Sequence, residues 1–227
     1  MHGAAGVREG AEALRALRVA ALALALGACR RAPVEPRGAI AGAWLREPEL
    51  ASGFELRADG RLALLNRPQQ SGLAWSLARG ELALSLCDAA HPDAHVVVQL
   101  TLARLAGDAL ELAGDDARFA GTYARARAEH VRGVLTYRER MALPPDAHVE
   151  VELSREGVGP VALAVFAPEG QVPIGFELSV PAAPDESPRY SLRARIADRE
   201  RSLWVTPDPV AVAAEAENAP VLLRFAR

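Results

Sequence analysis

The chain has no lysine. All 26 of its basic residues are arginine, set against 29 acids for a formal net charge of −3 over 227 residues. Schiff-base chemistry and a Walker-type phosphate lysine are therefore excluded. No block of a single charge sign occurs, and the basic stripe that marks a nucleic-acid-binding domain is missing, which excludes that class of partner. Cysteine is scarce, with only Cys29 and Cys87. There is no Gly-x-Ser-x-Gly elbow and no His-Glu-x-x-His. No Gly-rich loop opens a helix, because helical periodicity is nearly absent beyond residue 29. Glu150, Glu152 and Glu177 alternate along strand patterns and read as outward faces, not as a pair of catalytic acids. These absences leave a chain with no catalytic residues, no metal and no cofactor to predict. What remains is an apolar, strand-forming body that works by binding.

The N-terminal region is the most legible part. Arg8, Arg15 and Arg18 form a positive flank, partly offset by Glu9 and Glu12. The apolar run Val19–Ala28 is ten residues long, half of the ~20 that a helix needs to cross the hydrocarbon core. That length suits the apolar region of a secretory signal. Leu26-Gly27-Ala28-Cys29 resembles the lipobox of bacterial lipoproteins. The resemblance implies cleavage between Ala28 and Cys29, thioether lipidation of Cys29 and acylation of the new N-terminus. Each buried methylene contributes ~0.8 kcal/mol and two or more chains anchor stably, so the attachment implied is permanent. Arg30 follows the cysteine where an inner-membrane retention signal has Asp; by resemblance to enterobacterial sorting this favours the outer membrane, facing the periplasm. Residues 1–28 are thus predicted to be a helical signal segment. Residues 29–41, with Arg30, Arg31, Pro33, Pro36, Arg37 and Gly38, are predicted to be a flexible tether.

Residues 42–127 alternate apolar and polar positions around tight-turn dipeptides. Phe54 to Leu64 folds back at Asp59-Gly60, Ala74 to Leu86 at Arg79-Gly80, and Val96 to Leu112 at Gly107-Asp108. With strands at Trp44 and at Phe119–Arg125, about eight antiparallel strands form a meander, which closes into a small up-and-down barrel and so removes exposed edges. Gly42-Ala-Trp44, Gly53-Phe54-Glu-Leu56-Arg-Ala-Asp59-Gly60, Trp75, Leu82-Ala-Leu84 and Gly121-Thr122-Tyr123-Ala-Arg125 resemble the lipocalin-like domain of bacterial envelope lipoproteins. The inward set Trp44, Phe54, Leu56, Leu64, Trp75 and Leu84 is large enough to fill such a barrel. Asp88, His91, Asp93 and His95 fall within one short stretch, but Pro92 interrupts it and strands flank it; it reads as a surface loop and not a metal site. Cys87 reads as a buried small hydrophobe, and His130 and His148 as solvated.

Residues 128–227 carry about seven further strand patterns separated by Pro, Gly and Asp turns, which predict a Greek-key β-sandwich. Pro173 places its strand at an edge or a bulge. Three ordered motifs stand here: Gly133-Val-Leu-Thr-Tyr137-Arg-Glu139-Arg140-x-Ala-Leu143-Pro144-Pro145-Asp146-Ala147-x-Val149-x-Val151-x-Leu153, Gln171-Val172-Pro173-Ile174-x-Phe176-x-Leu178, and Tyr190-x-Leu192-Arg-Ala194-Arg195-Ile196. Together they resemble the YbaY/YscW family of envelope lipoproteins, whose best-understood members are pilotins that escort a type III secretin to the outer membrane. The sequence departs from that pattern after Ile196, where Pro209 stands in place of a tyrosine and the tail is rich in Ala and Glu. Tyr137, Phe176 and Tyr190 read as core. Arg138, Glu139 and Arg140 are the candidate partner contacts, because arginine is enriched among interface anchors.

The fold class predicted is all-β: a lipocalin-like barrel, then a β-sandwich, behind a signal segment. The function predicted is a non-catalytic, pilotin-like binding or assembly factor for an envelope or secretion-system protein, held at the outer membrane through Cys29. The alternative is a carrier of a small apolar ligand or lipid in the barrel.

Overall fold

The computed structural model describes residues 37–49, 51–88, 91–182, 188–199 and 201–226, with the side chains of residues 92 and 93 not included. The signal segment, the cleavage site Ala28/Cys29 and the lipidation site Cys29 lie outside the described residues, as does most of the tether. Among the described residues no helix is long and apolar enough to cross a membrane. Residues 37–227 form one compact unit. Its described residues are all-β apart from a single helical turn, α1 (Arg37–Ile40). That turn falls where the tether was expected to continue, yet Ile40 is wholly buried and packs into the first core.

The first eight strands are β1 (Gly42–Arg46), β2 (Gly53–Leu56), β3 (Leu62–Leu65), β4 (Gln70–Ala78), β5 (Glu81–Asp88), β6 (His91–Ala106), β7 (Ala109–Ala113) and β8 (Gly121–Ala126). They pair in the order β3-β2-β1-β8-β7-β6-β5-β4, an antiparallel meander curled almost into a barrel. The turn chemistry read from sequence is present. Arg79 and Gly80 both take positive φ, 56° and 82°, in the two-residue loop that closes β4 on β5, the backbone that a right-twisted hairpin requires. The ends of the sheet, β3 and β4, meet through one bridge, Arg61 to Ala74. They draw close because position 72 is glycine; a Cβ there would lie 2.7 Å from the Leu62 carbonyl oxygen. Trp44, Phe54, Leu56, Leu64, Trp75 and Leu84 are all buried in one cluster with Phe119 and Tyr123. The barrel interior is therefore packed with side chains.

The remaining strands are β9 (Ala128–Thr136), β10 (Ala147–Arg155), β11 (Gly159–Phe166), β12 (Ile174–Pro181), β13 (Tyr190–Asp198), β14 (Arg201–Val205), β15 (Val210–Val212), β16 (Val221–Leu222) and β17 (Arg224–Phe225). This is more than the seven patterns suggest, because the last three are only two or three residues long. One sheet runs β11-β10-β13-β14-β17, with β15 also on β13; the other runs β12-β9-β16. Val149, Val151 and Leu153 from the first sheet share a core with Val131, Leu135 and Phe176 from the second. Apolar inner faces of two sheets packed on each other make a sandwich. Tyr137 stacks on Trp204, ring centroids 4.4 Å apart, at one end of this core. Pro173 lies just before β12, an edge strand, through a cis bond from Val172.

Two local expectations are corrected. The stretch around His91 is at the surface as expected, but it is strand and not loop: β5 runs to Asp88, β6 begins at His91, and Cys87 faces His95 in the ladder. His148 is not solvated; it is 6 % exposed.

Candidate partner-binding cleft

A sheet that does not close leaves a row of unpaired backbone groups at each end. Here the strands at four such ends converge. β3 and β4 end the barrel sheet, β11 ends the larger sandwich sheet and β12 ends the smaller one. Residues of all four line a single cleft of about 540 Å³, including Ala63, Gly72, Val165 and Gly175. Ser71 closes one open donor, its Oγ accepting the Val165 N–H at 2.9 Å. Leu73, Cys87, Leu163 and Val165 form a small apolar cluster at the same joint. Cys87 is buried with a free thiol, and burial pushes that thiol's pKa up.

Arg57 and Glu177 on one wall of the cleft belong to a charged network that continues behind it. The Arg57 guanidinium reaches Glu177 at 2.6 Å and Glu55 at 3.2 Å, and donates to the Ser179 hydroxyl at 2.8 Å. That hydroxyl in turn donates to Glu55 at 2.7 Å. His130 lies between two carboxylates, its Nε2 3.0 Å from Glu55 and its Nδ1 3.1 Å from Glu215. Arg132 adds a 2.9 Å contact to Glu177. Glu55 and Arg57 come from the barrel, the others from the sandwich, so the network joins the two bodies. Burial acts to raise the pKa of Glu55, but Ser179, His130 and Arg57 together outweigh it and hold the carboxyl below its usual range. Burial is likewise outweighed at Glu177, by Arg57 and Arg132. Glu215 is lowered mainly by the main-chain N–H of His130.

A second buried set lies on β10 and β13. Arg195 grips Glu150 with a two-pronged contact at 2.6 and 2.7 Å, and Glu150 meets His148 Nε2 at 3.0 Å. The His148 Nδ1 is buried without a partner. His148, His95 and Cys87 border a neighbouring cavity of about 710 Å³. Among the described residues no group of three His, Cys, Asp or Glu is placed to hold a metal ion.

Glu150 and Glu177 are thus not outward and solvated as the alternation suggests. Alternation correctly excludes them from the sandwich core. It carries no signal that the outer faces of β10 and β12 meet an arginine from a neighbouring strand and a barrel respectively. Glu55, Arg57, His130 and Glu177 were missed for that reason. Arg138, Glu139 and Arg140 lie on the β9–β10 connection, outside the cleft. Arg138 and Arg140 are exposed beside Met141, itself 51 % exposed, whereas one Glu139 oxygen is buried and unpartnered.

No curated protein matches the chain. Among solved structures, an alternative pilotin from the type II secretion system of Vibrio cholerae aligns at 27 % identity, covering 44 % of this chain and 99 % of that chain, with a TM-score of 0.39. Residues 126–223, which hold the whole sandwich up to its last short strand, match the family model described as the type III secretion system lipoprotein chaperone, YscW.

Proposed function

We propose that the protein is an outer-membrane lipoprotein, anchored through Cys29, that acts as a non-catalytic, pilotin-like assembly factor for a secretin. The observation that carries this reading is the match of residues 126–223 to a secretion-system lipoprotein chaperone family. The organisation is a signal segment (1–28), a tether (29–41), a lipocalin-like domain (42–127) and a YbaY/YscW-like sandwich (128–227). The cleft where β3, β4, β11 and β12 converge is the seat for an extended segment of the secretin. Added strands bind through main-chain hydrogen bonds at an unpaired edge, with alternate side chains entering apolar pockets. Leu73 and Phe166, both partly exposed, supply the apolar lining, and the charged wall sets direction. Arg138, Glu139 and Arg140, with Met141, form a second contact on the exposed β9–β10 connection. The packed barrel interior weighs against the carrier reading, since a ligand site needs a cavity of at least ~300 Å³ where this barrel holds Trp44, Phe54 and Trp75.

Gly175 offers the test. It lines the cleft, and a Cβ added there would meet nothing within 4 Å. The variant Gly175→Trp therefore fills the cleft without disturbing the fold. Crosslinking in envelopes, followed by detection of the secretin, is expected to show at least a tenfold loss of secretin for Gly175→Trp at unchanged melting temperature. Cys29→Ala is expected to lose the chain from the membrane fraction. Secretin captured equally by Gly175→Trp and the parent would overturn the cleft as the seat. Absence of secretin from both would overturn the pilotin-like role.

A further inference from the structure

Three arginines crowd one end of the barrel. β1 starts at Gly42, next to α1, and ends at Arg46 at the opposite mouth. There Arg46 Nη1 and Arg67 Nη2 donate to the same acceptor, the Arg118 carbonyl oxygen, at 3.5 and 2.7 Å. Arg67 and Arg118 both lie over the buried Phe119 ring, at 4.6 and 5.7 Å from its centroid. Arg46 and Arg67 thus meet at one neutral main-chain oxygen, with Arg46 Nη1 also donating to the Ala117 carbonyl oxygen at 2.9 Å, and Arg67 shares the Phe119 ring with Arg118. Asp116 engages Arg118 at 2.6 Å. The Nε of Arg67 is buried and meets no acceptor. Burial, and then the like charges of Arg46 and Arg118, lower the pKa of Arg67 against the opposing pull of Tyr123 and Asp116.

Like charges held together, and a buried N–H without an acceptor, are each unfavourable. An anion beside Arg46 and Arg67 offsets the repulsion between them. The space is present: Arg46, Arg67 and Arg118 line a pocket of about 480 Å³, which also presents Ser52, Asn66 and Gln70, with Asp88 on its wall. Arginine forks match the planar oxygen pairs of carboxylate and phosphate. The Arg118 fork is already held by Asp116, Nε to Oδ1 at 2.9 Å and Nη2 to Oδ2 at 2.6 Å, so the grip falls to the guanidiniums of Arg46 and Arg67 and the neutral side chains beside them, and the group that satisfies most of these donors is the one with most oxygens. We propose that this mouth of the barrel binds a phosphate dianion, as inorganic phosphate or as the phosphomonoester headgroup of a lipid. The Arg46–Arg67 pair is the principal grip.

The test uses the full chain in a non-ionic detergent, titrated calorimetrically at constant ionic strength with three probes. These are sodium phosphate, dihexanoyl phosphatidic acid and, as a phosphodiester control, dihexanoyl phosphatidylcholine. Saturable binding of inorganic phosphate identifies a free phosphate site; binding of phosphatidic acid alone identifies a headgroup site. In either case Arg67→Gln and Arg46→Gln are each expected to weaken binding at least tenfold. Near-ultraviolet circular dichroism identical to the parent shows that the Arg46→Gln barrel is folded, should Arg67→Gln lose its packing on Phe119. The proposal is overturned if neither phosphate nor phosphatidic acid binds, or if phosphatidylcholine binds equally well. It is also overturned if a folded Arg46→Gln variant binds like the parent.

Discussion

At the scale of single residues, glycines show how closely the backbones approach. Gly53 pairs with Leu45 across β1 and β2, and a Cβ there would lie 1.8 Å from the Trp44 carbonyl oxygen. A main-chain oxygen in a ladder cannot step aside, so Gly53→Ala must part the two strands. Overpacking of this kind costs ~1–3 kcal/mol or more, and Gly53→Ala is expected at the upper end of that range. The control is Gly170→Ala, where a Cβ would meet nothing within 4 Å and the expected change is within ~0.5 kcal/mol. Urea unfolding of both variants checks the pair; equal midpoints would show that β1 and β2 do not pack as described. Gly133 is restricted differently, by the Phe176 ring 2.7 Å from a Cβ built on it. Both glycines stand inside the motifs that suggested the domain resemblances, and close packing explains why those positions need the smallest residue.

At the scale of elements, the organising fact is where strand edges go. β11 and β12 each have a neighbour on one side only, and each turns its open side toward the end strands of the barrel. An exposed edge invites pairing with other chains; here the four edges face one another across the cleft, which limits pairing to a segment that enters it. Ser71 is the hinge pin of the arrangement. Its side chain is the acceptor for the Val165 N–H, and the residue is 2 % exposed. Ser71→Ala leaves a buried donor without a partner, at a cost of ~1–3 kcal/mol. Ser71→Thr, which keeps the hydroxyl, is expected to recover part of the loss. Amide exchange at Val165 reads this directly: faster exchange in Ser71→Ala is expected, and unchanged protection would exclude the contact.

At the scale of the whole molecule, charge holds the barrel to the sandwich. Glu55 and Glu177 both have folded pKa values below the ordinary 4.5. A carboxylate depressed in the folded state contributes stability that is present above its unfolded pKa and disappears as pH falls through the folded value. The melting temperature is therefore expected to fall as the pH drops below about 4.5, the ordinary value at which these carboxylates begin to take up protons when unfolded. Glu55→Gln is expected to lower the neutral-pH stability by ~2 kcal/mol, since it leaves Arg57 and His130 short of an acceptor. It should also flatten the acid limb. A Glu55→Gln profile parallel to the parent's would remove the network from the joint.

Sequence alone determined the all-β class, the turns at Arg79-Gly80 and Gly107-Asp108, the large inward residues of the barrel and the burial of Tyr137, Phe176 and Tyr190. It did so because alternation and turn chemistry are local: a period of two fixes which side chains share a face, and positive φ selects glycine. It did not reveal which outward face would be covered. Glu55, His130, His148 and Glu177 look like any solvated residue on a strand, and become a buried network only when β2 meets β12 and β9, or when Arg195 lies against Glu150. Likewise Arg46, Arg67 and Arg118 are scattered in sequence and meet only because β1, the β3–β4 turn and the β7–β8 connection end at the same mouth. Which face is inner is written in each strand; which outer faces meet is a property of how sheets end and dock, and only the tertiary structure decided it.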